Sequence, residues 1–427
     1  MTEKLTQIAT LTCNFLSDFA WMFNFSNVSV LKHEANFPPE WKSFIQETNV
    51  SKLKEILSCG LSDCPDFVRA FATCRKELQE RLSDTLISES DLQPKGNVLK
   101  PNKFKRGMSL KKQHEVSRFG AFIEKAYNDY DHIVDVGSGA GHLERYVLNF
   151  TQVQNGQLIC IESSQAHVDS SFKLAQNEEL VVKTLHYTLE NNEESIDQLQ
   201  TKIEEKSDTS ISDKSALIGL HTCGGLTNTM LYWFVNSSFG SLSLVSCCYH
   251  KMSDFPISKA FQEIVPDPLK SHFALRLACQ DAFEKWLNMS EKQHENHAKT
   301  FGRRALQEKV VVELGIKVEK QNRHGIRKSH EKDKSDYLES VTKVYDTEKG
   351  SDKNQVIEGI EQIWTEDFEW LEILTGLQSS LQILLEYFVT LDRVIYLREN
   401  GHTPQIFEIF DKELSPRNIL LHCQKLS

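Results

Sequence analysis

One ten-residue run, from Ile133 to His142, constrains the fold of this chain more than any other stretch. It reads IVDVGSGAGH: a short apolar, β-rich segment carries one acid, Asp135, and is followed by three alternate glycines. Glycines allow the tight turn that leads from a strand into a helix, and they let the backbone approach a ligand closely. A helix predicted over 143–150 would direct its amide N–H groups at that ligand. The run therefore predicts a cofactor-binding loop between a strand and a helix.

The spacing of the glycines separates the cofactor classes. A dinucleotide fingerprint, GxGxxG, and a phosphate-binding GxxxxGK[ST] loop would both require glycine at position 142, where this chain has His142. The observed pattern, DxGxGxG, resembles the first motif of S-adenosylmethionine-dependent methyltransferases, in which the loop passes under the methionine and the ribose. A plain α/β turn and a dinucleotide enzyme stay open as alternatives at this stage.

A second acid follows at the spacing expected for a cofactor site. The apolar segment Leu158–Glu162 ends at Glu162, about twenty residues after the loop, where an acid caps the second strand and accepts hydrogen bonds from ribose hydroxyls. We therefore predict S-adenosyl-L-methionine as the cofactor. The predicted cofactor-binding residues are Asp135, Gly137, Ser138, Gly139, Gly141 and Glu162.

Apolar β-rich segments alternate with helical segments through the middle of the chain. This alternation predicts an α/β fold with a doubly wound, mostly parallel sheet that carries helices on both faces. The predicted strands are Ile133–Val136, Leu158–Glu162, Val181–Leu185, Ala216–Leu220 and Leu242–Ser246.

Three consecutive regions are predicted along the chain. Residues 1–98 form a helical accessory region, 99–260 the cofactor-binding core, and 261–427 a helical region that completes or packs on the core. Residues 190–215 are polar, acidic and serine-rich, which predicts a flexible insertion. The last long helix is predicted from Phe368 to about Asn400, because Gly401 stands where a C-terminal cap glycine belongs.

Charge limits how the chain could contact nucleic acid. Forty-nine basic and sixty acidic residues give a net charge of −11, so nonspecific binding of polyanions by the whole molecule is excluded. Local basic segments precede the glycine loop and recur at 317–334, and they could contact RNA, although a solvated helix start explains the first one equally well. The basic residues of these segments include Lys100, Lys103, Lys105, Arg106, Arg323, Arg327 and Lys328, and the predicted substrate-binding residues are Lys111, Lys112 and His114.

Chemistry-bearing residues follow the fourth and fifth predicted strands. The fourth ends in GLHTCGG (219–225) and the fifth in VSCCYH (245–250), and ligands of open α/β sheets bind at the carboxyl ends of the strands. Methyl transfer requires an aimed acceptor and, for some acceptors, a base. The unperturbed pKa of histidine suits that base, and an aromatic ring can stack on a planar acceptor. The predicted catalytic residues are His250 as the first choice of base, His221 as the second, Cys248 and Tyr249.

Other hypotheses are open for the cysteines and histidines at these strand ends. Zinc ligation is one, but CxxC spacing is absent and adjacent cysteines rarely point at one ion, so no metal is predicted. Covalent attack of a cysteine on a pyrimidine ring is another. Small residues lining a closely packed strand end, or histidines that hold a loop through a backbone hydrogen bond, would be purely structural.

The rest of the composition bears on location. The ten cysteines are scattered, which favours a reducing compartment and no disulfide-linked partner. The start of the chain lacks a signal-peptide pattern, and no run approaches eighteen uninterrupted apolar residues. We expect a cytosolic or nuclear protein with no membrane partner.

Several of these motifs occur together in a known family. Their joint occurrence resembles the methyltransferase-like protein 25 group, also called ribosomal RNA adenine dimethylase domain-containing proteins. The resemblance implies a seven-stranded class I methyltransferase core that binds S-adenosylmethionine through Asp135, Gly137, Gly139, Gly141 and Glu162. The motifs that carry it are MSLKKQHEV (108–116), DVGSGAGH (135–142), LHTCG (220–224), CCYH (247–250) and LDR (391–393).

A more distant likeness concerns the strand ends. They are similar to those of a eukaryotic tRNA ribose 2′-O-methyltransferase family that carries Cys-Cys-His-His, where this chain has Tyr249 at the third place. We therefore predict an S-adenosylmethionine-dependent methyltransferase that acts on RNA. A protein or small-molecule methyltransferase and a catalytically inactive cofactor-binding scaffold are the alternatives.

Overall fold

Seven strands form one mixed sheet in the described part of the chain. The structure is a computed structural model that describes residues 2–59, 63–94, 108–154, 156–207, 210–315, 333–344 and 351–425. The strands are β1 His132–Val136, β2 Leu158–Glu162, β3 Lys183–His186, β4 Ser215–Cys223, β5 Ser241–Cys247, β6 Gln405–Glu408 and β7 Ile419–Gln424. Their order is β3-β2-β1-β4-β5-β7-β6; β7 pairs antiparallel with both β5 and β6, and the other neighbouring strands are parallel. The predicted seven-stranded class I methyltransferase fold is confirmed.

Helices connect the parallel strands. The α-helices are α1 Thr2–Asp18, α2 Val30–His33, α3 Pro39–Glu47, α4 Val50–Cys59, α5 Asp66–Leu86, α6 Leu110–Tyr127, α7 His142–Phe150, α8 Gln165–Gln176, α9 Glu193–Ser207, α10 Leu226–Asn236, α11 Lys259–Ile264, α12 Asp267–Lys270, α13 His272–Ala278, α14 Phe283–Leu287, α15 Glu291–Glu313, α16 Lys334–Val344, α17 Ser351–Gln362 and α18 Glu369–Glu399. One helix, from α7 to α10, lies between each pair of consecutive strands from β1 to β5. A parallel pair needs such a crossover, because the chain must return to the same edge before the next strand begins.

The central strands are buried along their whole length. Every residue of β1, β2 and β5 is buried, as expected for parallel strands whose two faces are both covered by helices. Asp135 lies inside β1, where it pairs with Cys160 of β2 and Ile218 of β4. The strand pattern therefore places one carboxyl group near the carboxyl end of a central strand.

Helix α6 packs its apolar side on the sheet. The helix begins at a Ser109 cap, whose hydroxyl accepts a hydrogen bond from the Lys112 backbone N–H at 3.2 Å. Its first turn is thereby fixed near the carboxyl ends of the strands. Buried residues that share the core with the sheet include Val116, Phe119, Phe122, Ile123, Tyr127, Ile133, Tyr146, Ile218, Val245, Phe407 and Leu420.

The predicted flexible insertion at 190–215 is wrong for most of its length. Helix α9 occupies Glu193–Ser207, and Ile196, Leu199 and Ile203 are buried along one side of it. These three positions have helical spacing, but the prediction was based on the composition, which the surrounding acidic and serine residues dominate. The segment is an ordinary crossover helix between β3 and β4.

The end of α18 confirms the predicted glycine cap. Gly401 has a φ of +82°, and its N–H donates to the Arg398 carbonyl at 3.0 Å. The N–H of His402 donates to the Leu397 carbonyl at 2.9 Å, which completes a Schellman motif. The chain then turns directly into β6, so the C-terminal region contributes two strands as well as helices.

Two compact units divide the chain, and neither is one continuous segment. One unit consists of residues 1–14, 77–282 and 383–427, and the other of 15–76 and 283–382. The three consecutive regions predicted from the sequence, 1–98, 99–260 and 261–427, therefore differ from the units. The second unit has its own core, in which Phe15, Phe19, Trp41 and Phe71 pack ring against ring. Each unit is built from segments that are distant in the sequence, so its limits do not coincide with a change in composition.

Two further sequence expectations concern membrane-spanning helices and the basic segments. Among the described helices, none is both long enough and apolar enough to cross a membrane. The basic residues predicted at 100–106 and at 323–330 lie outside the described residues.

Candidate active site

The glycine loop leaves β1 and enters α7 in the conformation that its sequence predicts. Gly137, Gly139 and Gly141 have φ values of +80°, +60° and +74°, which side chains disfavour. The N–H groups of Gly137 and Ser138 donate to the Ile161 carbonyl at 2.8 and 3.1 Å, which ties the loop to β2. A Cβ added to Gly139 would meet no atom within 4 Å, so open space lies over the middle of the loop.

Glu162 joins the loop at the end of β2. Its Oε2 accepts a hydrogen bond from the Gly139 N–H at 2.8 Å, and its Oε1 accepts one from the Ser164 N–H, also at 2.8 Å. The Nδ1 of His167 lies 3.6 Å from the same Oε1. The two acids and the three glycines of the predicted cofactor set are thus brought together at one edge of the sheet.

Asp135 is a buried carboxyl group with an unused acceptor. It is 1% exposed, and its Oδ1 has no hydrogen-bond partner among the described residues. The pKa of Asp135 is raised to about 7, chiefly by burial and also by nearby Glu144 and Glu162, while Lys112 opposes the shift. The Nδ1 of His142 is a second buried atom without a described partner. Because buried polar groups are nearly always hydrogen-bonded, both atoms indicate a polar ligand above the loop.

These features fit S-adenosylmethionine. Its ammonium and hydroxyl groups are donors for the orphaned Asp135 oxygen and for Glu162, and its positive charge favours an ionised carboxylate beside it. The open space over Gly139 leaves room for the adenosyl or methionyl part. Ser138 and Gly141 complete the loop, with Gly141 as the N-cap of α7.

The predicted substrate-binding residues of α6 have different surroundings. Lys111 is exposed, and its Nζ lies 3.8 Å from the Glu115 Oε1. Lys112 is half-buried, and burial lowers the pKa of its ammonium group, with Glu115 and Asp135 opposing. The Nε2 of His114 accepts a hydrogen bond from the Asp411 N–H at 2.9 Å. Lys111 is the most exposed of the three, Lys112 is half-buried, and the His114 Nε2 already accepts a backbone hydrogen bond. The substrate-binding role of these three residues stays a prediction.

His221 lies at a bulge in β4 and contacts a buried acid. Its φ is +67°, and the pairing register with β5 shifts between Leu220 and Thr222. The His221 Nε2 lies 2.9 Å from the Glu115 Oε2, and the Ser415 hydroxyl donates to the Glu115 Oε1 at 2.7 Å. Burial disfavours the ionised carboxylate, but the hydrogen bonds from His221 and Ser415 outweigh it and lower the pKa of Glu115.

The three cysteines at the strand ends converge. The Cys223 Sγ lies 3.1 Å from the Cys247 Sγ and 3.7 Å from the Cys248 Sγ. Cys223 is exposed, Cys247 is buried and Cys248 is half-buried. The expectation that the adjacent cysteines would not face one point is therefore wrong, because Cys248 adopts a left-handed conformation with a φ of +50°.

Tyr249 has a structural position. It is 1% exposed, and its hydroxyl donates to the Glu386 Oε1 at 3.1 Å. The Arg417 Nη1 lies 2.7 Å from the Glu386 Oε2, and the Arg393 guanidinium lies 5.2 Å from the centre of the Tyr249 ring. The predicted contact between Tyr249 and an acceptor is corrected, because α18 covers the ring from solvent.

His250 points toward α13. Its Nδ1 lies 3.1 Å from the Cys279 Sγ, and its carbonyl accepts a hydrogen bond from the His272 Nδ1 at 3.0 Å. Burial lowers the pKa of His250, and His272 and Arg276 lower it further. The histidines, cysteines and tyrosine at the ends of β4 and β5 therefore separate into the cysteine cluster, the His221–Glu115 pair, the buried Tyr249 and the His250–Cys279 pair.

No role was predicted from the sequence for three charged residues. Glu115 lies in one of the motifs, and Glu386 and Arg417 lie in none of them. Glu386 interrupts the apolar stripe of α18 between Leu385 and Tyr387, and a buried acid in an apolar stripe indicates an ion pair. That signal was present, but the partner is thirty-one residues away in sequence.

A protein-family model agrees with this geometry. Residues 111–254, about a third of the chain, match a family model described as a methyltransferase domain. The match contains the glycine loop, Glu162 and the ends of β4 and β5. A crystal structure of coclaurine N-methyltransferase bound to N-methylheliamine and SAH is similar at a TM-score of 0.27 and 12% identity, over 93% of this chain and 97% of that chain. The chain contains a methyltransferase domain of the S-adenosylmethionine-dependent superfamily, and S-adenosylmethionine is its cofactor.

Proposed function

We propose that this S-adenosylmethionine-dependent methyltransferase domain methylates RNA. One observation carries the proposal: the first turn of α6 lies at the carboxyl edge of the sheet, where the Lys112 charge acts on Asp135 and where Glu115 contacts His221. The basic segment 100–106 precedes that turn in the sequence. Its lysines and arginine would bind the phosphates of an RNA whose acceptor reaches the cofactor.

The cofactor supplies an activated methyl group on a sulfonium centre. Asp135 and Glu162 would hold its polar groups, and the glycines at 137, 139 and 141 would let the backbone lie against it. The helix dipole of α7 begins at Gly141, next to the same loop. The protein's contribution is to orient the methyl group toward the ends of β4 and β5.

His221 is the acceptor-side residue that we propose for positioning. The Glu115 Oε2 lies 2.9 Å from the His221 Nε2 and holds the ring in place. The Ser415 hydroxyl donates to the other oxygen of the same carboxylate and holds it in turn. A ring held in this way presents its other nitrogen in one direction, which suits a hydrogen bond to an acceptor hydroxyl or amine. His250 is less suited to this role, because its Nδ1 faces the Cys279 thiol, which holds a ring less firmly than a buried carboxylate does.

We also propose that the chain is a member of the methyltransferase-like protein 25 group. The motifs at 108–116, 135–142 and 247–250 support the assignment, because they contribute the Ser109 cap, the cofactor loop and the cysteine pair that occupy one edge of the sheet.

The proposal is tested first at the cofactor and then at the acceptor. Calorimetry with S-adenosylmethionine should give saturable binding that Gly139→Arg abolishes, because the arginine would fill the open space over the loop. Methyl transfer from labelled cofactor to fractionated RNA should then be measured, together with RNA affinity at several salt concentrations.

Charge reversal distinguishes an RNA enzyme from the alternatives. Replacing Lys100, Lys103 and Lys105 by Glu should lower the salt dependence of RNA binding by about two ions, since each single-strand phosphate contact releases about 0.7 of a counterion. Lys202→Glu, an exposed lysine of α9, is the control for a surface charge change. Equal RNA binding by the triple variant and the control, or methyl transfer to proteins alone, would contradict the RNA assignment. Loss of activity in His221→Gln with unchanged cofactor affinity would support the positioning role.

A further inference from the structure

The cysteine cluster at the ends of β4 and β5 has no role in the proposed methyl transfer. Cys223, Cys247 and Cys248 present three sulfur atoms that all lie within 4.8 Å of one another. The exposed member, Cys223, opens the cluster to solvent, whereas Cys247 forms its buried base. Three thiols that face one point from two strands form a ready-made set of soft ligands.

The backbone is shaped to produce this convergence. Cys223 and Cys247 are register partners on neighbouring strands, so their side chains stand side by side. In a regular strand Cys248 would point to the opposite face from Cys247, but its left-handed conformation turns it back toward Cys223. The left-handed conformation is disfavoured for a residue with a side chain, and such strain persists mainly at functional positions.

The distances suit a tetrahedral thiolate site. Zinc–sulfur bonds of about 2.3 Å at tetrahedral angles separate the sulfur atoms by about 3.8 Å. The Cys223–Cys248 separation is 3.7 Å, and the Cys223–Cys247 separation of 3.1 Å needs to open by only a fraction of an ångström. Cysteine side chains accommodate such a change by small χ1 rotations.

Local charge favours the same ion. Three thiolates and one Zn²⁺ carry a net charge of −1. The Lys251 N–H donates to the Cys248 carbonyl at 2.9 Å, which places a cationic residue next to the cluster. Metal binding would displace the thiol protons.

We propose that Cys223, Cys247 and Cys248 bind a zinc ion. Within the described residues the cluster supplies three ligands, which leaves the fourth tetrahedral position for water or an external ligand reached past Cys223. An open fourth position is typical of zinc that contacts a substrate rather than of closed structural sites. The site lies at the acceptor edge of the sheet but requires neither the cofactor nor an RNA.

Metal content and cobalt substitution test the site on the full-length chain. Protein purified under reducing conditions without chelators should contain about one zinc per chain by mass spectrometry of the metal. The metal-free protein, titrated anaerobically with Co²⁺ alone, should develop a thiolate-to-cobalt charge-transfer band that Zn²⁺ abolishes. Cys223→Ser, Cys247→Ser and Cys248→Ser should each weaken Co²⁺ binding about tenfold or more, since even outer-shell changes cost that much. Cys74→Ser, another exposed cysteine, is the matched control and should bind Co²⁺ normally.

Several outcomes would overturn the zinc site. They are a folded, reduced chain with no bound zinc and no charge-transfer band, equal Co²⁺ binding by Cys223→Ser and the control, and a Cys223–Cys247 disulfide that persists in reducing buffer. Cys223→Ser alters the exposed member, so it keeps the test decisive if the Cys247 variant fails to fold. S-adenosylmethionine binding by the same preparations separates failure of the metal site from failure of the proposed methyltransferase function.

Discussion

Asp135→Asn should make the protein more stable above neutral pH and a poorer binder of its cofactor. The carboxyl group is 1% exposed inside β1, and one of its oxygens has no described hydrogen-bond partner. Raising its pKa from the ordinary 3.8 to about 7 disfavours the ionised form by about 4 kcal/mol, since each pKa unit is worth 1.36 kcal/mol. Asparagine has nearly the same shape but carries no charge to bury.

The sign follows from proton binding. Between pH 4 and pH 7 the unfolded chain has lost the Asp135 proton and the folded chain retains it, so the free energy of unfolding falls as the pH rises. The loss is complete above about pH 7 and reaches at most about 4 kcal/mol. Asp135→Asn should therefore match the natural protein near pH 4.5 and exceed it by about 2–4 kcal/mol at pH 8.5, because the amide keeps part of its own desolvation cost.

Local hydrogen exchange is the suitable assay, because a chain with two compact units need not unfold in one step. Exchange of peptides covering β1, measured by mass spectrometry at both pH values, reports the stability around the substituted residue. Asp129→Asn, an exposed acid just before β1, is the control and should change neither value. Equal or lower protection of Asp135→Asn at pH 8.5 would refute the account of a costly buried charge.

Cofactor affinity provides the second half of this prediction. A positively charged ligand beside Asp135 favours the carboxylate, so S-adenosylmethionine should bind the natural protein more tightly as the pH rises from 6 to 8. The affinity should change by about tenfold per pH unit below the pKa and level off above it. Asp135→Asn should bind weakly, with no such pH dependence. Affinity that stays constant across this range would show that Asp135 does not contact the charged part of the ligand.

Two further predictions concern buried charge pairs. Arg417→Met removes the cation 2.7 Å from the Glu386 Oε2. Because Glu386 then loses its buried countercharge, the free energy of unfolding should fall by about 3–5 kcal/mol, measured as a lower melting temperature. Adding Glu386→Gln should partly restore the melting temperature. No recovery in the double variant would contradict a charge effect. In the second unit, the hydrogen bond between the His297 Nδ1 and the Glu372 Oε2, 2.6 Å apart, raises the pKa of His297. The stabilisation that this hydrogen bond gives the folded state is present below the ordinary histidine pKa and is lost as the pH rises through the raised pKa. Glu372→Gln should therefore lower the pKa of His297 in an NMR titration and flatten the pH dependence of stability in that range.

The cofactor half of the site could be predicted from local sequence. Gly137, Gly139 and Gly141 are required by positive φ values within one turn, and Glu162 ends the next strand of a parallel sheet. Short-range backbone rules connect these residues, so their grouping needs no knowledge of distant packing. The same rules explain why the predicted strands and the cap at Gly401 agree with the structure to within a few residues.

The acceptor half depended on tertiary structure. The sequence indicated that cysteines and histidines follow β4 and β5, but their directions are set by the bulge at His221 and the left-handed Cys248, which no pattern announces. Tyr249 is buried because α18 returns from more than a hundred residues later and brings Glu386 to its hydroxyl.

The sequence by itself determined that the chain has a parallel sheet and a loop built for S-adenosylmethionine, because strand burial and glycine spacing are local properties. Tertiary structure alone decided that Glu115 holds His221, that three cysteines meet at one point, and that the compact units interleave distant segments. Those features arise where side chains far apart in sequence find complementary charge, volume or hydrogen bonds. Such pairings become defined only when the backbone has brought the elements together.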